Sequence, residues 1–227
     1  MNWTILCPIM ENNIINASSE VPNEMRLALK ALDNLDADFK AARARWGNPP
    51  DRFIPSGFAA LVRIILGQQI SRAVANALWA RFVERNWQEA QALAALDYEA
   101  LQDIGLSRRK AEYIIDLARA ETQGQLNLAK LEQQPADIFT QTLISHRGVG
   151  GWTISNYRLF CLADLDAWPG NDLALMEAVK RLKNFNERPS HAQMDALAQS
   201  WTPYRGAAAL MLWHLYACLV RDSRPVS

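Results

Sequence analysis

Asp172 follows the loop Trp168-Pro-Gly-Asn171 and opens an apolar-periodic run. A carboxylate at the first turn of a helix is held as an anion by the dipole and the free N–H groups. An anion so fixed can stabilise positive charge that develops during a reaction. Most aspartates at such positions are simple helix caps, and that alternative stands beside the chemical one. Twenty-four residues earlier lies Gly148-Val-Gly150-Gly-Trp-Thr153. Its glycines permit positive φ, and without Cβ atoms the backbone can approach a ligand closely. The N–H groups of Gly148 and Gly150, with those opening the next helix, form a nest for an anion, and a duplex phosphate suits it. The Thr153 hydroxyl adds a donor. The carbonyls of Ile144, His146 and Val149 can hold a monovalent cation beside the phosphate. Short glycine turns between packed helices also occur with no ligand.

These residues need helices on either side, and the hydrophobic period supplies them. Apolar residues from Pro22 to Trp46 fit one or two helices, broken by Gly47-Asn-Pro-Pro50. Ser56 is placed to cap a helix over 57–67, with Phe58, Leu61, Val62 and Ile65 as its stripe. Gln68-Gln69-Ile70 forms a corner, and Ser71 caps the next helix, 72–85. Asp97 caps a short helix ending at Gly105, and Ser107 opens another over 108–120. That start carries Arg108, Arg109 and Lys110, either a second phosphate contact or a solvated basic face. A connector over 124–135 leads to a helix at 136–144. After the glycine turn, helices follow at 152–162 and at 173–183, the second begun by Asp172. Ser190 with Gln193 reads as a capping box for 191–200. Thr202 as N-cap and Pro203 as first helical residue start the last helix, ending near Arg221. Residues 1–20 carry no clear period. No alternating strand run follows them, so the fold class is all-α.

Composition narrows the function classes. Half of the 227 residues are apolar and 21% are charged, which is globular composition. Lys+Arg and Asp+Glu each number 24, so the net charge is zero and a polybasic nucleic-acid binder is excluded. A local basic face is not. Cys7, Cys161 and Cys218 are too few and too scattered for a disulfide framework or a four-cysteine cluster, which points to a reducing compartment. The longest apolar-rich run, 206–220, falls short of a membrane span, and the N-terminus lacks a basic region before its apolar patch. The expectation is a cytoplasmic protein away from membranes.

Taken together, Gly148-Val-Gly-Gly-Trp-Thr153 and Asp166-Ala-Trp-Pro-Gly-Asn-Asp172 resemble the helix-hairpin-helix DNA glycosylase superfamily. The alkylated-base branch, the 3-methyladenine-DNA glycosylase II family, is the nearest likeness. Supporting segments are 58–71 (FAALVRIILGQQIS), 105–111 (GLSRRKA) and 201–216 (WTPYRGAAALMLWHLY). The resemblance spans about residues 50 to 220. It implies a two-lobed helical bundle with a cleft between the lobes, a segment 1–50 packed on the body, a glycosylase domain over 51–220 and a tail over 221–227. It also implies the compact form without an extra N-terminal domain.

The same resemblance implies a base excision repair enzyme acting on damaged double-stranded DNA as a monomer. It implies that Asp172 is the catalytic residue, an anion below the sugar that stabilises oxocarbenium charge and orients water. Gln69 is the wedge filling the gap left by a flipped base, with Ile70 beside it, although a polar corner between helices is the plainer reading. Gln68, Ser71, Arg108, Lys110, Gly148, Gly150 and Thr153 join the DNA-binding set. An alkylated purine is cationic, and ring faces attract cations. Trp152, Trp213, Phe58, Trp201 and Tyr204 are therefore assigned to the base pocket, with a core role as the alternative for Trp213. Relatives that also cut the strand carry a lysine where Trp152 stands, so no lyase step is expected. No cofactor is required, and no iron–sulfur cluster can form around Cys218 alone. Two alternatives remain: a glycosylase for an oxidised or mismatched base, and a non-catalytic DNA-binding helical protein.

Overall fold

A computed structural model describes residues 22–222. The expectations for residues 1–20, for Cys7 and for most of the tail lie outside the described residues. Thirteen helices and no strand occur among those described, in agreement with the all-α expectation. The chain divides into two compact units. One is Ile54–Tyr157; the other comprises the described parts of 11–53 and 158–227.

The first unit holds α3 (Phe58–Leu66), α4 (Arg72–Glu84), α5 (Ala90–Ala94), α6 (Tyr98–Asp103), α7 (Arg108–Thr122), α8 (Leu128–Leu131), α9 (Ala136–Ile144) and the start of α10 (Gly151–Leu162). Its axis is α7, which buries Ala111, Ile114, Ile115, Leu117 and Ala118 against α3, α5 and α6. The caps expected from sequence form at Ser71, Asp97 and Ser107, each accepting an N–H of the first helical turn. Ser56 does not cap α3. Its hydroxyl donates to Glu132 (3.0 Å), and Gly57, with φ of 121°, takes the cap position. The Gly57 N–H donates to the Tyr157 hydroxyl (2.6 Å), a partner one hundred residues away that no local pattern reveals. Helices α5 and α8 were not expected. At five and four residues they are too short for a 3.6-residue period to show.

The second unit holds α1 (Asn23–Leu35), α2 (Ala37–Trp46), α11 (Leu173–Leu182), α12 (His191–Gln199) and α13 (Arg205–Asp222). From Ala207 to Trp213, α13 is buried on every side, as a central helix must be. Helices α1, α2 and α11 pack around it. The capping box at Ser190 and Gln193 forms as expected. The start of α13 differs from expectation. Trp201, Thr202 and Pro203 form a turn closed by the Tyr204 N–H on the Trp201 carbonyl (2.7 Å), and the helix begins at Arg205. Its cap comes from elsewhere: the Asp166 carboxylate accepts the Arg205 N–H (3.2 Å) and grips the same residue's guanidinium (2.9 and 2.6 Å). That fork ties the loop before Asp172 to the central helix.

Asp36 joins three parts of this unit. It caps α2 and accepts hydrogen bonds from Lys183 (2.8 and 2.7 Å) and from the Trp201 indole (2.9 Å). Burial opposes its ionisation, but the bonds from Lys183 and Trp201 outweigh burial and hold its pKa below the usual value. A depressed carboxylate pKa contributes stability above the unfolded value and loses it as pH falls through the folded one. Asp36→Ala is therefore expected to lower urea-unfolding stability by about 2 kcal/mol at pH 7. The difference from wild type shrinks once pH drops below about 3.8. A constant difference across that range would contradict the assignment.

Candidate nucleic-acid interface and acid site

In the first unit, residues 145–150 join α9 to α10. The Val149 N–H donates to the His146 carbonyl (3.1 Å), and the Ile154 N–H donates to the Gly150 carbonyl (3.0 Å). Gly150 is thus the N-cap of α10. The N–H groups of Gly151, Trp152 and Thr153 precede the first helical bond and point out of the positive end of the helix. The glycines serve different ends. Gly148 has φ of 84°, and a Cβ there would lie 2.2 Å from the Tyr113 ring. Around Gly150 and Gly151 a Cβ would meet nothing within 4 Å. Gly148 is demanded by the protein's own packing, while Gly150 and Gly151 leave the helix end bare for a ligand.

Several residues expected on this face lie elsewhere. Thr153 is 1% exposed, and its hydroxyl accepts a hydrogen bond from Gln68 Nε2 (2.7 Å), so it serves the protein interior. Gln68 also donates to the Gly148 carbonyl (2.9 Å), an internal tie instead of a DNA contact. Lys110 turns inward as well, donating to the carbonyls of Leu66 (2.8 Å) and Gln68 (2.6 Å). Burial pulls its pKa down to about 8. Phe58 is buried where it opens α3. Exposed or half-exposed are Gln69, Ile70, Ser71, Arg108, Gly150 and Trp152. Arg108 pairs with Glu112 (3.0 Å).

Arg147 was not singled out from sequence. It stands inside the hairpin, is 69% exposed, and lies over the Tyr113 ring at 5.6 Å. An arginine within a glycine turn was the available signal. Burial keeps His146 below its usual pKa, so it adds no cation at neutral pH. The His146 carbonyl accepts the Val149 N–H and keeps a second lone pair. Main-chain carbonyls such as those of Ile144, His146 and Val149 are neutral oxygen donors, a chemistry that fits a weakly charged hard cation.

The second unit contains the acid. Asp172 is the N-cap of α11 and only 4% exposed. Its Oδ1 accepts from the N–H groups of Ala174 (2.9 Å) and Leu175 (3.2 Å) and from the Trp213 indole (3.2 Å). Three donors on one oxygen, at the positive end of a helix, hold negative charge in place. Gly170 makes the approach possible, since a Cβ there would lie 2.3 Å from the Trp168 indole nitrogen. Tyr216, on the helix of Trp213, stays protonated at neutral pH. Burial and Glu177 raise its pKa, Arg188 opposes them, and Asp172 raises it further.

The aromatic assignments change accordingly. Trp213 is fully buried and stacked on Phe160 (centroids 5.4 Å apart); it positions Asp172 and does not line an open pocket. Trp201 is also fully buried, with its edge against Phe39 and its N–H on Asp36, which makes it core. Tyr204 is half-buried in the turn before α13.

Comparison with known proteins gives a consistent likeness. The family described as HhH-GPD superfamily base excision DNA repair protein matches residues 62–204. A DNA-3-methyladenine glycosylase of Bacillus subtilis is 31% identical over 175 residues, covering 71% of this chain. The chain spans 58% of the length of that relative. Among solved structures, the Schizosaccharomyces pombe 3-methyladenine DNA glycosylase Mag1 in complex with abasic DNA is 25% identical, with a TM-score of 0.77 over 82% of this chain and 95% of that one. A DNA-3-methyladenine glycosidase from Bacillus halodurans is 27% identical, with a TM-score of 0.70 over 86% and 91%.

The hairpin glycines separate in a stability test. Gly148→Ala is expected to cost about 3 kcal/mol in denaturant unfolding, through the Tyr113 clash and the left-handed φ. Gly150→Ala is expected to stay within about 1 kcal/mol of wild type. Equal costs would contradict the division of roles.

Proposed function

Because the chain belongs to the HhH-GPD superfamily of base excision DNA repair proteins, we propose that it is a monofunctional DNA glycosylase that releases alkylated purines from duplex DNA. The observation that carries this is the Asp172 carboxylate, fixed by two backbone amides and an indole at the start of α11. The names of the matched relatives support alkylpurines as the substrate class.

An N3- or N7-alkylated purine carries a positive charge and leaves as a neutral base, so it needs little acid catalysis. As the bond from C1′ to the ring nitrogen breaks, the electron pair departs with the base and the sugar becomes oxocarbenium-like. Asp172 stabilises that cation, and water completes hydrolysis by adding to C1′ and losing a proton. The products are the free base and an abasic site. A carboxylate this buried is weakly screened, so the attraction exceeds that at an open surface. The open N-terminus of α10 at Gly150 and Gly151 serves as the phosphate grip, with a monovalent cation on the hairpin carbonyls supporting it. Gln69 fills the vacated stack, and Trp152 offers a ring face to the cationic base. A tryptophan provides no amine for a Schiff base, so strand cleavage does not follow. The charge on the base already activates the leaving group, and the reading requires no cofactor and no second copy of the chain.

The test is release of 3-methyladenine and 7-methylguanine from methylated duplex DNA, followed by chromatography. Wild type is expected to release both, and borohydride to trap no adduct. Asn caps a helix as well as Asp, so Asp172→Asn is expected to keep its melting temperature and lose about 100-fold or more in rate. Trp213→Phe, which keeps the stacking on Phe160, is expected to lose about tenfold or more, as for one hydrogen bond to a charged group of about 1.5–3 kcal/mol. No base release by folded wild-type protein would overturn the reading.

A further inference from the structure

The corner Gln68–Ile70 and the hairpin meet on one face of α7. Lys110 and Tyr113 are three residues apart on that helix and so share a side. The Lys110 Nζ donates to the carbonyls of Leu66 (2.8 Å) and Gln68 (2.6 Å), while the Tyr113 ring occupies the space that a Gly148 Cβ would need. The Gln68 side chain completes the link by donating to the Gly148 carbonyl (2.9 Å) and the Thr153 hydroxyl (2.7 Å).

Gln69, at the tip of the corner, is exposed and has φ of 57°, a region that non-glycine residues occupy only when their surroundings enforce it. One contact bears directly on it, the Lys110 hydrogen bond to the Gln68 carbonyl. The Gln68 carbonyl belongs to the peptide unit that precedes Gln69, and the orientation of that plane sets the Gln69 φ. A half-buried lysine with its ammonium turned inward onto two backbone carbonyls gives up part of its hydration for a merely structural tie.

We propose that Lys110 and Gln68 are positioning residues that lock the Gln69 corner to the strand-gripping hairpin, so that the side chain entering the base stack is held ready before DNA arrives. The proposal rests on the glycosylase reading. Lys110 contributes no phosphate contact; it acts through Gln69. Base flipping requires the gap to be filled as it opens, and a wedge already in its strained conformation need not be ordered at that moment.

The test is a double-mutant cycle on single-turnover excision of 7-methylguanine from a duplex, with affinity for an abasic duplex measured in parallel. Lys110→Met keeps the stem and removes the donors. It is expected to slow excision about tenfold with affinity within threefold of wild type, and Gln69→Ala to do the same. Lys110→Met combined with Gln69→Ala is expected to be no slower than Gln69→Ala alone within threefold, because both act through one corner. Gln68→Met, which cuts the link to the hairpin only, follows the same pattern and carries the test if Lys110→Met does not fold. Fully additive losses, a loss confined to affinity, or near-wild-type rates in both single variants would overturn the proposal. Absence of excision by the wild type would instead overturn the glycosylase reading.

Discussion

One carboxylate holds the proposed site together. Asp172 starts α11 by accepting the Ala174 and Leu175 N–H groups on Oδ1, and in the proposed reaction the carboxylate so fixed stabilises the sugar cation. A flexible aspartate would have to be oriented at every turnover; a helix cap is oriented when the protein folds. Trp213 adds a third donor, so the acid is tied to the buried centre of α13. The approach loop follows from this constraint. Gly170 exists because the Trp168 indole lies where a Cβ would be, and the Asp166–Arg205 fork pins the loop to the helix that also bears Trp213.

The first unit holds two exposed backbone segments in conformations that, in the proposed function, meet DNA. Both exposed elements, the corner at Gln69 and the hairpin at Gly148, carry left-handed φ values. Both are braced from α7, by Lys110 and by Tyr113. The zero net charge fits this arrangement, because oriented amides and a helix end attract an anion without a large cationic surface. The exposed arginines near the turn, Arg108 and Arg147, are partly neutralised by Glu112.

Local signals in the sequence revealed what local physics decides. Ser71, Asp97, Ser107, Asp172 and Ser190 cap the helices expected of them, since a cap needs only its own next three residues. Ser56 lies one residue before the N-cap, which Gly57 takes, and its hydroxyl donates instead to Glu132, seventy-six residues on. Thr202-Pro203 has the composition of a helix start, but the Asp166 carboxylate places the start at Arg205. Side-chain direction was the least legible feature. Lys110 sits in a run of exposed cations yet turns inward, because two carbonyls at the end of α3 accept its hydrogens. Trp201 and Trp213 have the aromatic character of a pocket lining, and tertiary packing buries both. The place of Asp172 at the start of α11 was legible because a cap pattern is sequence-local.

The most direct test of the central claim uses charge alone. Two duplexes would be compared, one carrying a neutral tetrahydrofuran and one a cationic pyrrolidine in place of a single deoxyribose. If Asp172 stabilises a sugar cation, wild-type protein binds the pyrrolidine duplex at least tenfold more tightly, and Asp172→Asn loses that preference while retaining its affinity for the neutral duplex. Equal affinity of the wild type for both duplexes, or an unchanged preference in Asp172→Asn, would contradict it.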